Sequence, residues 1–245
     1  MNIHIISVVP ELMESPFGHS IMKRAAAKGL LNITVHQLRK WAVNEYGMVD
    51  DYQFGGGAGM VMMCEPLANA IEELNAVHQF DEIIFCEGYK GLNNPHFNLL
   101  PLTQTKGETL TIKNIKLPEN ESVNRKCFVL PLSPGVFKIG STYTWNTADL
   151  SPTKEGKNDI LNNLSFLTNE KPEIINHSAG IRPTTVDRRP LMGTHPTMKN
   201  YHYFNGLGAK GYMLAPRLSF EFAEYLLKNK ALNKEVNLTR VYSKL

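Results

Sequence analysis

Two glycine clusters are the first places in this sequence where chemistry could sit. Phe54 to Met63 (FGGGAGMVMM) sets four glycines in five positions behind Asp50, Asp51 and Tyr52. Glycine tolerates positive φ and lets a ligand or a second backbone come close, so this density suits a binding loop, with a simple turn as the alternative. No Lys-Ser/Thr follows, which excludes a Walker loop. Gly206, Gly208 and Gly211 (GLGAKG) spell G-x-G-x-x-G between an apolar strand and a helix, the order of a dinucleotide turn. Only 34 residues follow Gly211, whereas a dinucleotide domain needs several parallel strands, so another role is expected of this turn.

Among charged residues, Arg182 in the segment GIRP stands out, because a guanidinium fork can hold a carboxylate through two hydrogen bonds. A surface ion pair with Asp187 is the competing expectation, and Arg188 and Arg189 are expected to be solvated. Tyr143 and Trp145 alternate along a strand, a pattern usual for packing. Cys64, Cys86 and Cys127 show no C-x-x-C spacing; neither a disulfide framework nor a metal site is expected, and a reducing compartment fits.

The elements that must position these residues change character along the chain. Ile3 to Val9 predicts a buried strand, Ile21 to Leu30 a helix stopped at Gly29, and Leu31 to Val35 a second strand. An irregular stretch from Lys40 to Gly59 precedes a helix from Glu65 to Val77, with Leu67, Ala70, Ile71 and Leu74 on one face. After a short strand at Asp81 to Cys86 come half-buried strands at Glu108 to Lys113, Lys126 to Leu132 and Val136 to Trp145. A helix at Asn158 to Leu167, strands at Glu173 to His177 and Tyr201 to Asn205, a long helix at Met213 to Lys228 and a strand at Val236 to Tyr242 complete the order. The fold class is therefore an α/β N-terminal fragment followed by an α+β segment with a largely antiparallel sheet.

Composition is ordinary for a globular protein: 42% apolar, 20% charged, net charge +3 over 245 residues. These values exclude a disordered tail, a collagenous repeat and a coiled coil, and the basic excess is too small to argue for nucleic acid by itself. No apolar run reaches the ~18 residues of a spanning helix, and Ile3 to Val9 lacks the basic flank of a signal peptide, so a cytoplasmic protein without membrane contact is expected.

The motifs resemble two families in succession. ISVVPEL at 6–12, GLL at 29–31 and VDDYQFGGGAGMVMMCEPL at 49–67 resemble, in order and spacing, the start of the bacterial tRNA guanine-N1 methyltransferases, over residues 1 to about 86. The resemblance implies that Gly55, Gly56, Gly57, Gly59 and Met60 border the place where a guanine meets S-adenosylmethionine, and that tRNA is a partner. That family holds its cofactor in a later knotted segment with Tyr-Glu-Gly and Ser-Gly-Gly-Glu stretches. Neither occurs after Cys86, and the catalytic Asp and Arg belong to those later segments.

FDEIIFCEG at 80–88, LPLTQTKGETL at 100–110, FVLPLSPGVFKIGSTYTWN at 128–146, HSAGIRPTTVDRRPLMG at 177–193 and YFNGLGAKGYMLAP at 203–216 resemble the C-terminal part of FAD-dependent amine and amino-acid oxidases of the glycine oxidase kind, over about residues 78–230. The resemblance implies that Gly206, Leu207, Gly208, Ala209, Lys210 and Gly211 pass along the flavin ring, where backbone N–H groups stabilise negative charge. It also implies that Arg182 holds the carboxylate of a small amine or amino-acid substrate. His177 is expected to make ordinary strand-end hydrogen bonds, since hydride transfer needs no strong base if the amine arrives neutral. Lys106 and Gly107 match a turn after the Leu-Pro-Leu segment.

Each half lacks what the other occupies. The oxidases open on a βαβ unit with a G-x-G-x-x-G turn for the ADP half of FAD, whereas here Met1 to Leu12 stand in that place and no glycine precedes Gly18. At roughly 0.3 kcal/mol per heavy atom, losing the ~27 atoms of the ADP half forfeits about 8 kcal/mol, which takes nanomolar binding to roughly millimolar. The chain is thus expected to be a chimera with domains at 1–79 and 80–245, exchanged between about Ala76 and Glu87. FAD-dependent oxidation is the first expectation, S-adenosylmethionine-dependent tRNA methylation the alternative and a non-catalytic fusion the third. Truncated sheets with open edges lead one to expect self-association.

Overall fold

A computed structural model describes residues 1–52, 60–147 and 149–242 of the chain. They divide into two compact units, one up to Asp81 and the other from Glu82.

The first unit runs β1 (Asn2–Ser7), α1 (Glu11–Phe17), α2 (Ser20–Ala27), β2 (Asn32–Gln37), β3 (Asp50–Tyr52), β4 (Met60–Met62) and α3 (Cys64–His78). β1 and β2 are β-branched and pair in parallel from Asn2↔Asn32 to Ser7↔Gln37, with α1 and α2 making the crossover that a parallel pair requires. Leu38, Val49 and Ala70 are fully buried, and Ile6, Val8, Trp41 and Leu67 pack against them. This apolar cluster joins the sheet to α3, whose register is also set by the Trp41 indole N–H donating to Glu73 Oε2 at 2.7 Å. The stretch expected to be irregular contains β3, which pairs antiparallel with β4 just beyond it. Three-residue strands are too short to show a period, which is why the sequence pattern missed them.

The second unit runs β5 (Ile83–Phe85), β6 (Leu102–Lys113), β7 (Val123–Arg125), β8 (Cys127–Ser133), β9 (Val136–Gly140), β10 (Thr144–Trp145), α4 (Lys154–Leu164), β11 (Glu173–Thr185), β12 (Leu191–Thr194), β13 (Tyr201–Asn205), α5 (Gly211–Lys228) and α6 (Thr239–Tyr242). Six strands form an antiparallel sheet in the order β10-β6-β9-β8-β7, with β11 paired along β6. Alternation puts Leu110, Ile112, Val129, Phe137 and Ile139 on one face, where they close over Ile160 and Leu164 of α4. The register places Thr105 opposite Arg182, Gly107 opposite Gly180 and Thr109 opposite Ser178; directly opposed residues share a face. That second face is polar and glycine-rich. A smaller sheet, β12-β13-β5, is mixed, with β13 parallel to β5. It shares a core with α5 through Met192, Leu218 and Phe222.

Four expectations need correction. The strand expected to stop at His177 continues to Thr185, so Arg182 lies within a strand. The strand expected over Val136 to Trp145 breaks after Gly140 and resumes at Thr144. Lys106 and Gly107 sit inside a twelve-residue strand, not in a turn. Val236 to Tyr242 is not a strand: Thr239–Tyr242 is helical, and only an isolated bridge joins Asn237 to Met192. Among the described residues no helix is long and apolar enough to cross a membrane.

Candidate functional site

Arg182 lies across the polar face of the larger sheet. Its Nη2 donates to Ser141 Oγ at 2.7 Å and its Nη1 to the Thr142 carbonyl at 3.3 Å, and its guanidinium stands 5.4 Å from the centroid of Tyr143. The ion pair with Asp187 does not form; Arg240 takes that carboxylate at 3.0 Å. Burial draws the Arg182 guanidinium below its usual value, against the opposing effect of Tyr143. A part-buried arginine without a carboxylate partner among the described residues is open to an anionic ligand. Gly107 makes this placement possible, because a Cβ there would fall 2.0 Å from Nη2. On the same face Thr105 is fully buried and its hydroxyl has no hydrogen-bond partner among the described residues.

The opposite face of β6 carries a buried polar cluster at the start of α4. Glu108 Oε2 accepts from the Thr153 N–H at 2.8 Å and Oε1 from the Thr153 hydroxyl at 2.9 Å, while His177 Nε2 lies 2.8 Å from Oε2. Lys106 Nζ is 3.5 Å from both Glu108 and Asp149 and donates to the Ser151 carbonyl. Burial opposes ionisation of Glu108, but the Thr153 hydrogen bonds, the Lys106 charge and His177 together hold its carboxyl below the usual range. Gly156 must lack a side chain here, since a Cβ would sit 2.5 Å from Glu108 Oε2. His177 thus makes a hydrogen bond from within the strand and not at its end, and Glu108, which sequence patterning did not single out, fixes the strand to the helix. The signal available was a charge at an apolar position of an alternating strand.

The second glycine turn lies beside the end of β11. Gly206 and Gly208 have φ of +75° and +58°, which favour glycine. A Cβ on Gly206 would meet Thr185 Cγ2 at 2.9 Å, and one on Gly208 would come within 3.6 Å of Thr184 Oγ1. Leu207, Ala209 and Lys210 complete a 3-10 turn into α5, which has no side-chain cap and no acidic residue in its first turn. The structure therefore brings this turn to the strand that carries Arg182. Of the first glycine cluster, Gly55, Gly56, Gly57 and Gly59 lie outside the described residues, and Met60 opens β4. Among the described residues no group of three or more His, Cys, Asp or Glu could hold a metal ion.

Arg188 and Arg189 are not simply solvated. Arg189 pairs with Glu235 at 3.3 Å, and the Arg188 guanidinium stands 5.7 Å from the Tyr143 centroid and 5.5 Å from that of Trp145.

The FAD dependent oxidoreductase family matches residues 58–225, more than half of the chain, and the chain belongs to that family. The tRNA (Guanine-1)-methyltransferase family matches residues 1–106. The chain is thus a chimera of two parts, whose matches overlap at 58–106.

A tRNA (guanine-N(1)-)-methyltransferase of Flavobacterium johnsoniae is 54% identical over 85 residues, which are 35% of this chain and 38% of that protein. The chain spans less than half the length of the curated relatives it matches. The glycine oxidase of Geobacillus kaustophilus superposes with a TM-score of 0.54 at 25% identity, over 62% of this chain and 42% of that one. An iminodiacetate oxidase of a Chelativorans species shares the fold, with a TM-score of 0.55 at 17% identity over 88% of this chain and 56% of that one.

Proposed function

We propose that residues 80–245 form the substrate and flavin-ring side of an FAD-dependent oxidoreductase acting on a small amine or amino acid, behind a methyltransferase-like segment at 1–79. The observation that carries this reading is the convergence of Arg182 and the Gly206–Gly211 turn on the last residues of β11, where Thr184 lies within 3.6 Å of a Cβ built on Gly208.

The residues present fit the ring end of the flavin. Gly206 and Gly208 hold positive φ beside Thr184 and Thr185, and the uncapped first turn of α5 leaves amide donors for negative charge. FAD supplies the hydride acceptor when bound. Arg182 holds the substrate carboxylate and Ser141 and Thr142 hold Arg182, so the amine-bearing carbon is oriented by a guanidinium that is itself fixed. The ADP end fits less well. The crossover that follows β1 offers no glycine before Gly18, so its backbone cannot approach a pyrophosphate as a dinucleotide turn does. Weak flavin affinity follows.

Adding FAD to purified protein tests this reading: a saturable, perturbed absorbance band near 450 nm supports it, and no change at millimolar FAD overturns it. The identity of the N-terminal segment to tRNA methyltransferases favours a second reading, binding of tRNA or S-adenosylmethionine by residues 1–79, and calorimetry with each separates the two.

A further inference from the structure

Four arginines cluster at the end of β11, and carboxylates account for two of them. Arg240 pairs with Asp187 at 3.0 Å and Arg189 with Glu235 at 3.3 Å. Asp187 is the acidic neighbour of Arg188 in sequence, but its Oδ1 accepts from the Thr185 hydroxyl at 2.9 Å and from the Arg189 N–H at 3.1 Å. Among the described residues no carboxylate lies within ion-pair distance of Arg182 or Arg188. These two guanidiniums instead share one ring: they stand 5.4 and 5.7 Å from the Tyr143 centroid. Trp145 packs on Tyr143 with ring centroids 5.3 Å apart and takes Arg188 at 5.5 Å.

Neither guanidinium loses its proton at any physiological pH, so two permanent positive charges are held against one phenol with no counter-ion among the described residues. Stacking on two rings orients Arg188 and leaves its N–H groups free to meet an anion. We propose that Arg188, positioned by Tyr143 and Trp145, is a second anion subsite beside Arg182, and that the substrate is an amine or amino acid carrying two carboxylates. The inference rests on the reading of Arg182 as the first carboxylate anchor. A dicarboxylate satisfies both arginines in one event, because the second contact forms at the high local concentration set by the first.

Trp145 reports on the subsite once the other tryptophan is removed by Trp41→Phe. Glutamate or aspartate should shift Trp145 fluorescence at about tenfold lower concentration than alanine, the gain expected from a second charge-assisted contact. Arg188→Gly, which suits the φ of +58° at that position, should abolish this preference. Equal titration by glutamate and alanine, or a preference that survives Arg188→Gly, overturns the inference. Arg182→Gln tells the two claims apart. If it weakens both ligands while Arg188→Gly changes nothing, only the second subsite fails; if it changes neither ligand, or no amino acid binds at all, both claims fail.

Discussion

Gly107 and Arg182 occupy one space: a Cβ on Gly107 would stand 2.0 Å from the Arg182 Nη2 and 2.3 Å from its Cζ. The guanidinium therefore lies flat over bare backbone, and its position depends on a residue with no side chain of its own. Gly107→Ala should displace Arg182 and weaken carboxylate binding about tenfold, at a stability cost of about 1–3 kcal/mol from overpacking. Titration of Trp145 fluorescence with alanine and a urea melt measure the two effects. Unchanged binding in a folded variant contradicts the assignment of Arg182.

Glu108 ties β6 to the start of α4, and its carboxyl is held below the usual range. A carboxylate with a lowered folded pKa adds stability that is complete above its unfolded value near 4.5 and is lost as pH falls through the folded value. Glu108→Gln should cost about 2–4 kcal/mol at pH 7 by leaving Lys106 and the Thr153 donors poorly matched. Urea melts at pH 7 and pH 4 check this: the wild type should lose more stability on acidification than the variant does.

His4, His36 and His78 crowd together on the first unit. His4 Nδ1 lies 2.9 Å from His36 Nε2, and the His4 and His78 ring centroids are 4.1 Å apart. Burial, then the charge of the neighbouring His78, lowers the pKa of His4, and burial, His4, Lys40 and His78 lower that of His36. A histidine with a lowered folded pKa binds its proton more readily when unfolded, so this contribution is complete above the ordinary histidine value of 6.5 and is lost as pH falls below it. Thermal melts at pH 7.5 and 5.5 should show the first unit weakening, and His4→Gln should reduce the difference.

Strands with a clear period were legible in the sequence, as were the long helices ending at His78 and Lys228, because repeated burial on one face leaves a pattern. The strand pair of Asp50–Tyr52 with Met60–Met62 was too short to leave one. The continuation of β11 past His177 was hidden by Gly180 and Pro183, which read locally as strand breakers although Ala179 and Ile181 still alternate with Ser178 and Arg182. The polar members of that alternation mark the candidate site. Arg182 was visible from its motif, but its partners Ser141 and Thr142 and the clearance at Gly107 arise from pairings across 40 or more positions, which no local pattern carries.

Open sheet edges bear on association. The first unit's β1 and β2 form a two-stranded sheet, and β5 ends the three-stranded sheet with Ile84 half exposed. Unpaired edges recruit other strands. Sedimentation velocity should show mass rising with concentration, and a monomer at every concentration contradicts this.

On the proposed reading, this chain keeps the ring end of a flavin site while the ADP end has no counterpart in the methyltransferase-like segment. Fluorescence titration with FAD and with riboflavin, which lacks the ADP half, separates the two ends. The two should bind weakly and alike, with Kd values within about threefold of each other, because the ADP half adds no contacts. FAD binding about a hundredfold more tightly than riboflavin, or no binding of either, contradicts the proposed flavin site.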